Sequence, residues 1–211
     1  MAAPANPPPG HGIDPRRTAV LALHWQVNVI EPEGFFGPML AAPVAESGVV
    51  DRAVRFHDAI RAAGVPLIFT RFTVPEGEGQ LIRNTGFMTA VGAAQESFRP
   101  DSSGAALIDA MAHQAEPGLV FDNQRLSGLA ANGVAAWLTE HGIDTVLVTG
   151  VATNLTVEQT ARHGTDLGFI VHPIIDCMAA PTPEVHAASL ANLDLTTAGC
   201  LSAEEALALR G

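Results

Sequence analysis

The sequence is short of cysteine and of long apolar runs. Two cysteines, Cys177 and Cys200, among 211 residues are too few for a disulfide framework and are typical of a reducing compartment. No apolar run approaches the roughly 20 residues that a membrane-spanning helix needs. The N-terminus also lacks the basic and apolar regions of a secretory signal peptide. We therefore expect a cytoplasmic protein that does not bind membranes.

Basic residues are also scarce, and this shortage bears on the possible partners. Only 11 basic residues stand against 22 acidic ones, so the formal net charge is −11. A negative average field repels the phosphates of nucleic acids, which excludes them as expected partners. The eight histidines are scattered without the close spacing that holds a transition metal. We expect no metal and no other cofactor, and a small molecule as the partner.

The first residues differ in composition from the rest of the chain. Five of residues 1–17 are proline, namely Pro4, Pro7, Pro8, Pro9 and Pro15. Because proline cannot continue a helix or a strand ladder, residues 1–17 are predicted to be a disordered tail. Residues 18–211 are long enough for one α/β domain, and the 47% hydrophobic content of the chain supports a packed core.

Short apolar runs alternate with helical patterns from residue 18 onward. This alternation predicts a single-domain, doubly wound, Rossmann-like α/β fold with a mostly parallel six-stranded sheet and helices on both faces. The predicted strands are residues 18–24, 65–70, 118–121, 145–149, 169–172 and 196–198. Ligands of such sheets bind beyond the carboxyl ends of the strands. Residues 31–47 are predicted to be a loop, and residues 72–104 either a lid or an ordinary surface excursion.

One nearly continuous stretch is specific. Residues 142–154 read Gly-Ile-Asp-Thr-Val-Leu-Val-Thr-Gly-Val-Ala-Thr-Asn, and the pattern continues through residues 155–162 and 166–168. This stretch resembles the signature of the isochorismatase-like cysteine hydrolases. Residues 23–26, 122–127 and 175–176 also fit the family pattern, so the resemblance covers about residues 18–201. It implies an isochorismatase-like hydrolase domain with a small-molecule site at the carboxyl edge of the sheet. Assembly as a homodimer or homotetramer is also implied.

The resemblance implies catalytic residues that this chain does not have. Members of the family commonly carry an Asp after the first strand, a Lys after the third and a Cys at the start of the helix that follows the Gly-Val-Ala-Thr-Asn turn. Here those positions hold His24, Asn123 and Thr156. The resemblance also implies a cis peptide between Val151 and Ala152, which shapes anion-binding amides in the turn.

Each of these three residues has a catalytic and a structural interpretation. His24 titrates near neutral pH and is a candidate general acid or base, or a hydrogen-bonded structural residue. Asn123 is a candidate orienting group. Thr156 could donate a hydrogen bond, hold a water molecule or attack as a nucleophile, although its hydroxyl is intrinsically weak. Its structural alternative is a helix cap.

Further residues are candidates for substrate binding. Five aromatic residues could line an apolar pocket for an aromatic or alicyclic substrate, or be ordinary core: Trp25, Phe35, Phe36, Phe72 and Phe98. Arg71 could bind a carboxylate and Asp122 could face the pocket. Cys177 follows the fifth predicted strand and either packs in the core or lines the pocket. The complete predicted set of substrate-binding residues is Trp25, Gln26, Phe35, Phe36, Arg71, Phe98, Asp122, Val151, Ala152 and Cys177.

Three functional hypotheses follow. The first is an isochorismatase-family enzyme, a hydrolase or lyase-like enzyme of specialised metabolism, which acts on a small organic molecule by non-covalent acid–base chemistry through His24. The second is a catalytically inactive member that binds a metabolite or acts as an oligomeric partner, because three functional groups have changed together. The third is a cysteine hydrolase that uses Cys177.

Overall fold

Five parallel strands form the central sheet of the structure, a computed structural model that describes residues 12–209. The strands are β1 (Thr18–Leu23), β2 (Leu67–Phe72), β3 (Val120–Asn123), β4 (Thr145–Val151) and β5 (Ile170–Ala179). Their order across the sheet is β3-β2-β1-β4-β5. The direction of winding reverses between β1 and β4, and ligands of open α/β sheets bind in the crevice at that switch point.

The central strand β1 is buried on both faces. It pairs with β2 on one side and β4 on the other, and all six of its residues are buried. Because strand side chains alternate between the two faces, Val20 and Ala22 join one apolar core while Ala19, Leu21 and Leu23 join the other. The prediction of helices on both faces of a parallel sheet is therefore confirmed.

Nine α-helices surround the sheet within the described residues. They are α1 (Val27–Ile30), α2 (Gly37–Ser47), α3 (Val49–Ala62), α4 (Gly86–Ala93), α5 (Asp109–Ala112), α6 (Val134–Glu140), α7 (Glu158–Asp166), α8 (Pro183–Thr196) and α9 (Ala203–Ala208). Three 3₁₀ helices, Pro15–Arg17, Gln95–Phe98 and Ser103–Ala105, and one π-helix, Thr153–Val157, complete the secondary structure. No helix in residues 12–209 is long and apolar enough to cross a membrane.

Each face of the sheet has its own set of packed helices. Helices α2, α3 and α9 contribute apolar side chains to the core that contains Val20, whereas α6, α7 and α8 contribute to the core that contains Leu21. A third, smaller cluster includes Phe72, Met88 and Phe98, and Phe36 packs against both this cluster and the core that contains Val20. Helix α4 packs in this third cluster.

The prediction of six strands is wrong, because the sheet has five. Thr196, predicted to begin a sixth strand, is the last residue of α8, and the amide of Thr197 donates to the carbonyl of Leu193. Past that point the amide of Ala198 donates to the carbonyl of Val171 in β5, and Leu201 forms an isolated bridge with Ile174, but no sixth strand forms. The fifth strand is longer than predicted and reaches Ala179.

The predicted loop at residues 31–47 contains the 11-residue helix α2. Pro38 lies in its first turn, where a backbone N–H has no intrahelical partner, and Pro43 lies inside it. The helix is stabilised by burial of Leu40, Ala41 and Val44 rather than by its composition. The prediction of a loop at residues 31–47, which relied on the proline content, is therefore wrong for the residues of α2.

The folded domain begins before residue 18. Residues 1–11 of the predicted tail lie outside the described residues. Ile13 is 2% exposed, and its amide donates to the carbonyl of Leu209 at 2.8 Å. Pro15–Arg17 form a 3₁₀ helix that Asp14 caps by accepting a hydrogen bond from the amide of Arg16. Burial of Ile13 anchors this segment against α9 despite its prolines.

We expect Gly150→Ala to destabilise the domain strongly, because Gly150 brings the end of β4 close to β1. Gly150 has φ 141°, and a Cβ there would lie 2.3 Å from the carbonyl oxygen of Leu23. Gly64→Ala is the matched control, because Gly64 has φ 82° but nothing within 4 Å of its Cβ position. The control should lose only about 1–2 kcal/mol of unfolding free energy, the cost of the left-handed backbone. Urea unfolding followed by circular dichroism measures both, and equal losses would contradict the steric argument.

Candidate active site

His24 lies where β1 leaves the sheet, at the switch point. Its backbone has φ 54°, a left-handed conformation that is uncommon for a residue other than glycine. Its amide donates to the carbonyl of Thr70 at 3.1 Å, and the residue is only 6% exposed. Sparsely populated backbone conformations cluster at functional sites, so this geometry supports a functional hypothesis for His24.

Asn123, the last residue of β3, orients the His24 ring. Its Oδ1 lies 3.2 Å from His24 Nε2, and its Nδ2 donates to the carbonyls of Arg125 at 2.7 Å and Ser127 at 3.3 Å. Because Nδ2 is the donor to two carbonyls, Oδ1 must accept from His24, which places the proton on Nε2. The other ring nitrogen, Nδ1, then has a free lone pair.

His24 is neutral over the physiological pH range. Burial disfavours the charged imidazolium and lowers the pKa of His24 to about 4, and the hydrogen bond to Asn123 opposes this shift without cancelling it. No carboxylate of the described residues accepts a hydrogen bond from the ring. The imidazole can therefore accept a proton through Nδ1. Near pH 7 the ring is not already protonated at that nitrogen.

Thr156 completes the predicted set of three. It lies in the π-helix Thr153–Val157, which follows the cis peptide between Val151 and Ala152 that the family resemblance implied. Thr156 is 2% exposed, and its Oγ1 has no hydrogen-bond partner among the described residues. A buried hydroxyl without a partner costs about 1–3 kcal/mol, so a water or ligand atom is the expected partner.

A small pocket brings these residues together. Its cavity volume is about 40 Å³, and both His24 and Thr156 line it while Asn123 holds the ring of His24. Phe36, Val151 and Ala152, all predicted to bind substrate, also line this pocket. Phe72 joins them from the end of β2.

Half of the residues that line the pocket were not predicted from the sequence. The missed residues are all apolar: Val29, Leu40, Phe87, Val91, Leu126 and Leu155. Leu40 belongs to α2, which lies in the segment predicted to be a loop. Phe87 and Val91 lie four residues apart on one face of α4, and this helical spacing was a usable signal.

Four predicted substrate-binding residues support the pocket from outside its lining. Trp25 is fully buried in the core that contains Val20, where it lies edge-on to His57. Gln26 Nε2 donates to the carbonyls of Phe72 and Ala105, while its Oε1 accepts from the amide of Phe72 at 2.6 Å. Phe98 belongs to the third apolar cluster. Phe35 is 38% exposed and packs edge-on against Phe36 and Phe98.

Arg71, Asp122 and Cys177 also lie outside the pocket lining. Arg71 and Asp122 are paired in register across β2 and β3, and they bind each other through Nε–Oδ1 at 2.8 Å and Nη2–Oδ2 at 3.0 Å. Cys177 is fully buried in the core. Burial and the charge of Asp176 raise the pKa of the Cys177 thiol to about 12, so it is not a nucleophile at neutral pH.

A second buried histidine, His57, lies behind the site on α3. Its Nδ1 donates to Gln114 Oε1 at 3.1 Å, because Gln114 Nε2 is used as the donor to Val54 and Asp58. The hydroxyl of Thr149 donates to His57 Nε2 at 3.0 Å. Burial lowers the pKa of His57 to about 4. This chain of hydrogen bonds ties α3 to β4.

No group of three or more His, Cys, Asp or Glu in residues 12–209 is arranged to hold a metal ion. The polar groups of the pocket are an imidazole and a hydroxyl, both uncharged, so the arrangement offers hydrogen bonding and proton acceptance.

Comparisons with known proteins all match this chain to the same family of α/β domains. The isochorismatase domain model matches residues 18–205. The ureidoacrylate amidohydrolase RutB of Methylobacterium radiotolerans is 27% identical over 204 residues, which cover 90% of this chain and 78% of that protein. A cysteine hydrolase from Pseudomonas syringae pv. phaseolicola has a TM-score of 0.79 at 24% identity and covers 94% of each chain. A pyrazinamidase/nicotinamidase from Streptococcus mutans has a TM-score of 0.68 at 19% identity, covering 87% of this chain and 99% of that one. The solved structures support the fold.

The two buried histidines should make the protein less stable as the pH falls from 6.5 towards 4. Their pKa of about 4 in the folded state lies below the ordinary 6.5, so the unfolded chain takes up protons that the folded chain does not. Above pH 6.5 the two histidines contribute their full share to the free energy of unfolding. Below pH 6.5 this share is lost, and the loss reaches about 2 kcal/mol per histidine at pH 5.

Urea unfolding at pH 7.5 and pH 5.0 measures this dependence. His57→Gln should reduce the loss between the two pH values, whereas the same substitution at exposed His113 should leave it unchanged. An identical loss in wild type and His57→Gln would refute the assignment.

Native protein treated with iodoacetamide at pH 8 should keep Cys177 unmodified, because the thiol is buried and protonated. Cys200, which is half-buried, should react slowly, since burial raises its pKa to about 11. Peptide mass mapping distinguishes the two sites, and unfolding in urea is the control in which both react. Rapid native modification of Cys177 would restore it as a candidate nucleophile.

Proposed function

Since this chain belongs to the isochorismatase family, we propose that it is an enzyme that acts on a small organic molecule by non-covalent acid–base chemistry. His24, Asn123 and Thr156 take the positions of the family's Asp, Lys and Cys. The observation that carries the proposal is the hydrogen bond from His24 Nε2 to Asn123 Oδ1 beside an unpartnered Thr156 hydroxyl in the same pocket.

His24 is the proton acceptor in this proposal. With Nε2–H held by Asn123, Nδ1 accepts a proton from a water molecule while the water oxygen forms a bond to the substrate carbon. The bond from that carbon to the leaving group then breaks, and the imidazolium returns the proton to the leaving atom. The reaction is a hydrolysis without a covalent enzyme intermediate.

Thr156 positions the water in this scheme. Its buried hydroxyl lacks a protein partner, and a cavity of about 40 Å³ exceeds the 10–15 Å³ that one water needs. Less than 1 Å² of Thr156 Oγ1 is accessible, so in this scheme its side chain turns about χ1 to bond to a water that also donates to His24 Nδ1. This role requires only hydrogen bonding, so the weak nucleophilicity of a threonine hydroxyl is no obstacle.

The composition of the chain argues against the usual covalent chemistry of the family. The sequence contains no lysine at any position, so no other residue can supply the family's amine. Of the two cysteines, Cys177 lies in the core and Cys200 follows α8, and neither lines the pocket. A cysteine hydrolase mechanism through Cys177 is therefore not proposed.

A second candidate function is that of a catalytically inactive member that binds a metabolite or acts as an oligomeric partner. The observation that favours it is the pKa of His24, about 4, which makes the imidazole a weak base at neutral pH. General bases work best when their pKa lies near the working pH. The same pocket would then serve for binding alone.

Turnover assays of the wild type and of variants at His24 and Thr156 separate the two candidate functions. His24→Gln should lower the rate on a responsive substrate from an amide, ester and enol-ether panel by about 10²- to 10⁴-fold, the usual share of a general base. Thr156→Val, which keeps the shape of the side chain, should lower it as well. Turnover by wild type should be level above pH 5 and fall towards pH 4, where His24 becomes protonated.

Exposed His113 provides the matched control, because His113→Gln should leave turnover unchanged. Circular dichroism and thermal unfolding check that each variant folds. An unchanged rate in His24→Gln would remove His24 from the mechanism. The inactive member predicts no turnover by wild type of any compound in the panel, together with ligand-induced thermal shifts.

A further inference from the structure

Two buried amide side chains, those of Gln26 and Asn28, follow His24 closely in the chain, and neither lines the pocket. Both bind residues 72–105, the pocket wall, which carries Phe72 and the lining residues of α4. We infer that Gln26 and Asn28 are positioning residues that hold the pocket wall against the ring of His24. The inference rests on the proposed assignment of this pocket as the functional site.

The side chain of Gln26 continues the sheet past the end of β1. Leu23, the last residue of β1, pairs with Thr70, so no residue of β1 pairs with Phe72 at the end of β2. Gln26 Oε1 accepts a hydrogen bond from the amide of Phe72 at 2.6 Å, and its Nε2 donates to the carbonyl of Phe72 at 3.1 Å. A neighbouring strand would satisfy the same two backbone groups. One side chain therefore fixes Phe72 where β1 has left the sheet.

Gln26 also holds the other end of the pocket wall. Its Nε2 donates a second hydrogen bond, to the carbonyl of Ala105 at 2.9 Å. The backbone is paired at the same place, because Gln26 forms an antiparallel bridge with Leu107 and the amide of Val27 donates to the carbonyl of Ala106 at 3.0 Å. The first and last residues of the pocket wall are thus joined through a single amide group.

Asn28 holds the middle of the pocket wall. Its Nδ2 donates to the carbonyl of Ser97 at 2.6 Å, and its Oδ1 accepts from the amide of Phe35 at 3.3 Å. The fit is close, since a Cβ at Gly104 would lie 2.3 Å from Asn28 Oδ1. Asn28 therefore connects the pocket wall to the loop that carries the lining residue Phe36.

The position of the pocket wall determines how well the ring of His24 is shielded from water. The ring of Phe72 lies edge-on to His24, with centroids 6.2 Å apart and an interplanar angle of 72°. Phe98, also in the pocket wall, lies edge-on to Phe72 at 5.5 Å. Burial is the largest cause of the low pKa of His24, and the hydrogen bond with Asn123 opposes it.

Charged groups do not set the pKa of His24. Among the described residues, no charged side chain lines the pocket. Arg71 and Asp122 directly precede Phe72 and Asn123 in β2 and β3, but they bind each other. A higher pKa of His24 therefore reports that water has reached the ring.

A role in folding alone is the alternative for Gln26, and Gln114 provides the matched comparison. The buried amide of Gln114 also makes three hydrogen bonds, with His57, Val54 and Asp58. These partners lie away from the pocket lining. Loss of either amide should destabilise the domain, but only the loss of Gln26 should alter the surroundings of His24.

The test measures the pKa of His24 by long-range ¹H–¹⁵N NMR on protein labelled at histidine, with His24→Gln to assign the signals. Gln26→Met keeps the length of the side chain and removes its three hydrogen bonds. Water should then reach the ring, and the proton affinity of His24 should increase about tenfold or more, which raises its pKa from about 4 towards 6.5. Gln114→Met should leave the pKa of His24 unchanged and shift the signals of His57 instead.

A second pair of variants changes no hydrogen-bonding side chain. Gly104→Ala displaces Asn28 by steric contact and should raise the pKa of His24 as Gln26→Met does. Gly77→Ala is its control, because Gly77 lies in the same pocket wall with nothing within 4 Å of its Cβ position. Neither glycine has a positive φ, so the two variants differ in steric contact alone.

Turnover separates this inference from the proposed function. If wild type is an enzyme, its turnover in Gln26→Met should begin to fall at a higher pH, by the same amount as the pKa of His24 rises. Absence of turnover by wild type would count against the enzyme and would leave the NMR measurement to decide this inference.

Three outcomes would overturn the inference. The first is an unchanged pKa of His24 in a folded Gln26→Met or Gly104→Ala variant, as checked by circular dichroism. The second is an equal rise in Gln114→Met or Gly77→Ala. The third is failure of both Gln26→Met and Gly104→Ala to fold, which would assign these residues to the stability of the whole domain.

Discussion

Burial of β1 between two parallel neighbours is the constraint on which the site depends. Its six residues are buried, its backbone is paired on both sides, and its side chains belong to two different cores. A strand fixed in this way leaves little freedom for the residue that follows it. His24 takes a left-handed backbone conformation at that point, and its amide still bonds to the neighbouring strand β2.

Neutrality is the second property that sets the chemistry of the site. Asn123 provides an uncharged amide where the resemblance implies a lysine, and Thr156 provides a hydroxyl where it implies a cysteine thiol. Arg71 and Asp122 lie nearby in the sheet but neutralise each other across β2 and β3. The two side chains that offer hydrogen bonds to the pocket, His24 and Thr156, are therefore both uncharged.

Sequence alone could predict the convergence of His24, Asn123 and Thr156, because the carboxyl ends of parallel strands meet at one edge. It could not predict that Arg71 and Asp122 pair with each other, since their contact depends on the register between β2 and β3. Leu40 was not predicted to line the pocket because the prolines of its segment favoured a loop. Helix α2 forms nevertheless, since its stability comes from tertiary packing. The number of strands was overestimated because Thr196 extends α8, and residues near a helix end carry no strong signal of their own.

The third apolar cluster has a consequence for motion. Phe72, Met88 and Val91 pack together in a cluster that Phe36 connects to the core containing Val20, and α4 with its pocket-lining Phe87 and Val91 belongs to this cluster. Segments with few connections to the main core open locally at a lower free energy than global unfolding requires. The outer side of the pocket is therefore the side on which local opening would disturb the sheet least. The backbone around His24 belongs instead to the paired end of β1, so the two sides of the pocket differ in how firmly they are held.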